Sequence, residues 1–173
     1  MTRSAVDSLA LSQRLIRVLI RLNQLLGLGI IVMLIMSLVA EEFLFRALGV
    51  KSVIDAPLKV ASMRMIMVFG ILSVPLAHLI LTRLLAVVES VPLGPFISAN
   101  ADRVRQMGWG LLGLEALHLA VGSAAAVGSW GGERIPIQWT FSATRWLAAL
   151  LLFVLARVFD QGTRMREDLE GTV

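Results

Sequence analysis

The chain has no cysteine and few charged residues for its length. It holds 173 residues, of which 16% are charged, whereas soluble domains average about 25%. The lack of cysteine excludes a disulfide framework, a thiolate metal site and a lipidated thiol. Hydrophobic residues make up 57% of the sequence, and the mean hydropathy is +0.82. With apolar runs of about 20 residues, this composition indicates an integral membrane protein.

Short motifs of soluble enzymes are also missing. The sequence has no Gly-x-Ser-x-Gly elbow, no phosphate-binding loop and no His-Glu-x-x-His zinc motif. We therefore predict a protein that is not an enzyme and has no cofactor. The net charge of +4 does not indicate direct binding to nucleic acid, because loop arginines in membrane proteins set orientation.

Four apolar spans predict an all-α fold. They cover approximately residues 22–40, 65–88, 107–127 and 143–159. A helix needs about 20 residues to cross about 30 Å of hydrocarbon. No segment alternates apolar and polar residues as a membrane strand would. We predict a single domain over residues 1–173, an up-down four-helix bundle.

Two smaller helices are predicted beside the spans. Before the first span, Arg14, Arg17 and Arg21 recur at helical spacing beside a leucine stripe, which predicts a short amphipathic helix on the inner leaflet. After the first span, a mixture of charge and phenylalanine predicts an interfacial helix that ends near Gly49.

Orientation follows from lysine and arginine. With the N-terminus inside, ten of the 16 basic residues fall in inner segments and six in outer ones. Cytoplasmic loops carry the excess of basic residues. We therefore expect both termini, and residues 90–106 between the second and third spans, to be cytoplasmic.

The inner segment between spans two and three holds a compact polar pattern. Pro95 breaks the chain there, because proline disfavours a helix at the residue before it. Ser98 or Asn100 can then cap the next helix, and Asp102 suits its first turn. These residues predict a helix start at the inner membrane surface.

Three residues that follow have predicted contacts of their own. Arg103 and Arg105 are expected to extend toward lipid phosphates on the cytoplasmic side. Gly108 permits the close approach of a neighbouring helix.

Two inner segments resemble a known family. They are Gly94-Pro95-Phe96, Asn100-Ala101-x-Arg103-Val104-Arg105 and Gly108-Trp109 in the loop, and ARVFDQGTRMREDLEGTV at the C-terminus. This pattern resembles a bacterial membrane family, domain of unknown function 2975. The resemblance implies four transmembrane helices in the bacterial inner membrane and a cytoplasmic central loop. It also implies a small helix-turn-helix regulator as the cytoplasmic partner.

The resemblance and the topology together predict a regulatory membrane protein. Its partner or lipid contacts are expected at seven residues of the inner loop and tail: Phe96, Asn100, Arg103, Arg105, Arg166, Glu167 and Asp168. Two alternatives stay open. One is a redox or transport protein, and the other is an accessory subunit of a larger membrane complex.

Four ionisable residues fall inside the predicted spans, where charge is costly and often functional. His78 and His118 are expected at similar depth on adjacent helices, where they could bind haem axially. Glu115 shares a helix face with His118, as in half of a carboxylate-bridged metal site, but no second Glu-x-x-His exists. The plainer interpretation is a buried polar pair between Arg83 and Glu115.

Overall fold

A computed structural model of the chain describes residues 3–47, 57–93, 97–129 and 142–170. Five α-helices follow in order: α1 (Arg3–Val39), α2 (Glu41–Ala47), α3 (Pro57–Ser90), α4 (Ser98–Gly128) and α5 (Ala143–Glu170), with a 3-10 turn at Val91–Leu93 after α3. Within these ranges no strand occurs, so the all-α prediction is confirmed.

Three of the described helices are long and apolar enough to cross a membrane. They cover Asp7–Val39, Pro57–Ser90 and Ser98–Gly128, with 33, 34 and 31 residues. At a rise of about 1.5 Å per residue, each is about 45–50 Å long, against a hydrocarbon core of about 30 Å. Each helix therefore extends beyond the corresponding predicted span and is longer than the hydrocarbon core is thick.

Large apolar side chains are exposed along α1. On α1, Leu25, Leu26 and Leu28 are 64%, 66% and 58% exposed. Contiguous apolar surface of this kind is unfavourable in water and marks a site of membrane contact. The membrane protein predicted from composition is supported by this surface and by the three long helices.

The arginine segment at the N-terminus does not form a helix of its own. Helix α1 runs without a break from Arg3 to Val39, so the amphipathic segment and the first span are one helix. The physical reason is that leucine, arginine and glutamine sustain a helix, and no proline interrupts them. The separate amphipathic helix is therefore not confirmed.

The fourth predicted span corresponds to α5, which is not among the three helices that meet the length and hydropathy requirement. Its apolar stretch lies between Arg145 and Arg157 and has 11 residues. A run of about 10–14 apolar residues is short for a complete crossing. The four-span arrangement is therefore not confirmed by this measure.

Helix α2 lies where the interfacial helix is predicted. Glu41 and Glu42 occupy its first turn and Arg46 its last, and both placements complement the helix dipole. The amide of Leu44 donates to the carbonyl of Ala40 at 3.0 Å, so backbone hydrogen bonding resumes directly after α1. The predicted end near Gly49 lies outside the described residues.

Contacts divide the chain into two compact units. The first comprises Met1–Asn23, Leu76–Gly113 and Ser142–Val173, and the second comprises Gln24–Pro75 and Leu114–Phe141.

In the first unit, glycines of α4 face large side chains of its neighbours. A Cβ added to Gly110 would lie 2.8 Å from Cγ1 of Ile80 on α3. A Cβ added to Gly108 would lie 3.1 Å from the ring of Phe153 on α5. The Phe153 ring also meets Trp109 edge to face, with centroids 5.4 Å apart. The close approach predicted at Gly108 is confirmed, and its neighbour is α5.

In the second unit, α1 and α3 pack antiparallel. Gly27 of α1 faces Val74 of α3, and Gly70 of α3 faces Ile30 of α1. Small residues let helix backbones approach closely, and such approach stabilises helix pairs in membranes. The guanidinium of Arg64 on α3 donates to the carbonyl of Ser37 at the end of α1.

Candidate functional site: the polar cluster at the α3–α4 connection

Two buried polar side chains join the end of α3 to the start of α4. Asn100 is 1% exposed and Ser90 is 5% exposed. The amide Nδ2 of Asn100 donates to Oγ of Ser90 at 2.8 Å, and the Ser90 hydroxyl lies 2.7 Å from the carbonyl of Val87, an acceptor in its own helix. Buried polar groups are costly unless they are paired, and both side chains are paired here.

Arg103 completes this group. Its Nη1 donates to the carbonyl of Ala86 at 3.0 Å and to Oδ1 of Asn100 at 2.9 Å. Ala86 belongs to the last turns of α3, where a cation is favourable because the C-terminal end of a helix carries partial negative charge. We call Ser90, Asn100 and Arg103 the Asn100 cluster.

The cluster corrects two local predictions. Asn100 is not the cap of α4, since its side chain reaches Ser90 across the connection and its backbone amide donates to the carbonyl of Ile97 at 2.9 Å. Arg103 does not extend outward, since its guanidinium is held against α3. The side chains of Asn100 and Arg103 thus form hydrogen bonds with α3, whereas the sequence predicts a helix cap for the first and lipid contact for the second.

The opposite side of the first α4 turns is exposed and charged. Asp102 accepts from Nη1 of Arg105 at 2.9 Å, and their side chains are 66% and 50% exposed. An exposed ion pair contributes about 0–1 kcal/mol, so this pair is a surface feature. Behind it, Ala101, Val104 and Met107 are buried. The start of α4 thus has one face inside the first unit and one charged face outside it.

A second ion pair lies beside the cluster. Arg17 of α1 and Glu89 of α3 are 3.7 Å apart, and each side chain is about half exposed. The sequence gives no signal for this pair, nor for the role of Ser90, because both depend on which residues of separate helices meet. A polar residue at the end of an apolar span signals only the helix end.

The tail residues of the predicted site belong to the same compact unit as the inner loop. Arg166 and Asp168 are exposed on the last turns of α5, and each makes at least one polar or ionic interaction. Phe96 and the side chain of Glu167 lie outside the described part of the chain. A joint surface of loop and tail stays a prediction.

The four ionisable residues of the spans divide between the two units. His78 and Arg83 lie in the first unit and are half-buried, and Glu115 and His118 lie in the second. Glu115 is 3% exposed. Among the residues that the structure describes, no group of three metal-ligating side chains occurs.

Two hypotheses about these residues stay predictions: the Arg83–Glu115 pair and haem held between the two histidines. An absorbance spectrum of the purified protein decides the second, since bound haem produces a Soret band.

The long apolar helices define the class of this chain as a helical membrane protein. Comparison with protein-family models, with curated proteins and with solved structures gives no match. The resemblance to domain of unknown function 2975 therefore stays a prediction.

Proposed function

We propose that the chain is a protein of the bacterial inner membrane with four transmembrane helices and both termini cytoplasmic, and that it regulates a cytoplasmic partner. The partner binds the exposed inner face formed by the start of α4 and the end of α5. The protein acts by binding and performs no chemistry. The regulator implied by the family resemblance, a small helix-turn-helix protein, is the partner that we propose.

The apolar surface of α5 supports a fourth crossing. Six large side chains of this helix are between 44% and 58% exposed: Leu147, Leu150, Leu151, Val154, Leu155 and Val158. They cover about 18 Å of helix length at about 1.5 Å per residue. Arg145 precedes this surface and Arg157 lies next to its last residue, Val158, and arginine stems near helix ends can place their charges at the membrane surface. We therefore propose that α5 crosses the membrane, with the charges of the two arginines drawn to its two surfaces.

The observation that carries the binding function is the buried Asn100 cluster. An ordinary helix connection needs only a cap, whereas this connection encloses an amide, a hydroxyl and a guanidinium that satisfy one another. Such a network fixes one arrangement of the elements that it joins. It therefore holds the exposed Asp102–Arg105 face in one orientation, which favours recognition by a partner because less ordering is needed on binding.

A binding assay tests this proposal. Inside-out membrane vesicles that contain the protein are titrated with a purified small helix-turn-helix regulator from the same genome. Arg105→Glu reverses an exposed charge of the proposed face, and opposite charges at an interface steer association. We expect at least a several-fold loss of binding for this variant.

Arg14→Glu is the matched control, because Arg14 is also an exposed arginine of the predicted inner side, on α1. It should bind like the parent. Deletion of residues 166–173 should reduce binding as Arg105→Glu does. Failure of the parent to bind the regulator, or equal binding by the parent and Arg105→Glu, contradicts the proposal.

A further inference from the structure

A cavity of about 580 Å³ opens between α3 and α4 in the second unit. The first half of α3 contributes Ser62, Met65 and Phe69, and the last turns of α4 contribute Ala120 and Ala124. Its volume is in the range of about 300–1,000 Å³ found for small-molecule sites. Met65 is 49% exposed, so the cavity opens on the surface of this unit.

Small residues on α4 create the space. Ala120 and Ala124 are one helical turn apart and therefore lie on the same face of α4. Met65 and Phe69 are likewise one turn apart on α3. The lining is apolar except for hydroxyl groups, so the occupant must be mainly apolar.

Ser62 distinguishes this cavity from a plain gap between helices. It is 5% exposed, and within the described residues its hydroxyl makes no hydrogen bond. Other serines of the long helices return the hydroxyl to their own backbone, as Ser37 does to Leu34 and Ser123 to Leu119. The Ser62 hydroxyl is therefore a donor available to a molecule in the cavity.

The position of Ser62 along α3 indicates what that molecule is. Lys59 and Arg64 flank it, and the next charged residue of α3 is Arg83. The 18 uncharged residues between Arg64 and Arg83 span about 27 Å at about 1.5 Å per residue, close to the thickness of the hydrocarbon core. Ser62 therefore lies at the polar boundary, and Phe69 lies about 10 Å deeper by the same rise.

We propose that this cavity binds one acyl chain of a phospholipid, and that the Ser62 hydroxyl donates to the ester carbonyl of that chain. A lipid ester lies at the boundary between headgroup and hydrocarbon, and its chain continues inward past Met65 toward Phe69. A transmembrane helix of a second copy would satisfy the apolar lining but has its own carbonyls engaged in helix bonds. The ester supplies a free acceptor for the Ser62 hydroxyl.

Native mass spectrometry of the purified protein tests the proposal. The protein in mild detergent is titrated with a diacyl phosphatidylglycerol and, separately, with its dialkyl ether analogue, which lacks the carbonyl oxygens. We expect the ester lipid to bind about two- to tenfold more tightly, the range that corresponds to one hydrogen bond. Ser62→Ala should remove this preference and keep the binding of both lipids.

Two further variants complete the experiment. Ser123→Ala is the matched control, because Ser123 lines the same cavity but its hydroxyl donates to Leu119; it should keep the ester preference. Ala124→Phe fills the cavity and should abolish the binding of both lipids, with circular dichroism to verify its helix content. If Ala124→Phe does not fold, the Ser62 and Ser123 variants decide.

Three results would overturn the proposal. The parent could bind neither lipid, or it could bind ester and ether lipids equally. It could also form a dimer that lipid does not displace, which would assign the cavity to a second copy. None of these results bears on binding of the regulator at the other unit, so the two proposals fail separately.

Discussion

Replacement of Asn100 by alanine should destabilise the protein more than any exposed substitution nearby. The change removes the bond from Nδ2 to Ser90 and the bond from Arg103 to Oδ1. A neutral hydrogen bond contributes about 0.5–1.5 kcal/mol and one to a charged group about 1.5–3 kcal/mol. Ser90 keeps its bond to Val87 and Arg103 keeps its bond to Ala86, so neither partner is left isolated. We therefore expect a loss of about 2–4 kcal/mol in the free energy of unfolding.

The assay is reversible unfolding by sodium dodecyl sulfate in mixed micelles, followed by far-ultraviolet circular dichroism. Asp102→Ala is the control, because Asp102 lies two residues away in an exposed ion pair. Its loss should stay below about 1 kcal/mol. If Asn100→Ala and Asp102→Ala unfold alike, the cluster does not hold the connection and our reasoning is wrong.

Two other predictions use the same unfolding assay. Gly110→Ala and Gly29→Ala gain the same helix propensity, but the new Cβ would lie 2.8 Å from Ile80 in the first variant and would meet no atom within 4 Å in the second. The Gly110→Ala variant should therefore be about 1–3 kcal/mol less stable than the Gly29→Ala variant. Equal stability of the two variants would contradict the close packing. Neutral replacement of Arg83 or Glu115 alone should destabilise the protein more than replacement of both, because an unpaired buried charge is the costly state. A double variant that is no better folded than either single variant would contradict the pairing hypothesis.

The sequence predicts the helices but not their full lengths. Apolar runs locate α1, α3 and α4 because hydrocarbon requires about 20 apolar residues. The polar ends of the helices are harder to predict from the sequence, since Arg14 and Arg17 are compatible with a separate surface helix and with an extension of the span. The chain adopts the extension, and α1 begins at Arg3. Hydropathy does not separate the two cases, because a helix needs no apolar residues once it leaves the membrane.

The site is predicted in part, for a related reason. Asn100 and Arg103 are identified from the sequence, and Gly108 is correctly expected at a close helix contact, which Phe153 provides. Their partners are not identified. Ser90 lies 10 residues from Asn100 in the chain, and only the antiparallel register of α3 and α4 brings the two together. Local propensity favours a cap at the start of α4, and tertiary contact with α3 overrides it.

The central claim, that the inner loop and the tail lie together on the cytoplasmic side, has a direct test. Because the chain has no cysteine, single replacements at the exposed residues Glu42, Arg105 and Asp168 each give a protein with one thiol. A maleimide that cannot cross membranes should label the Glu42 replacement on intact cells. The replacements at Arg105 and Asp168 should react only in inverted vesicles. Labelling of the Asp168 replacement on intact cells would show that α5 does not cross, and would contradict the account.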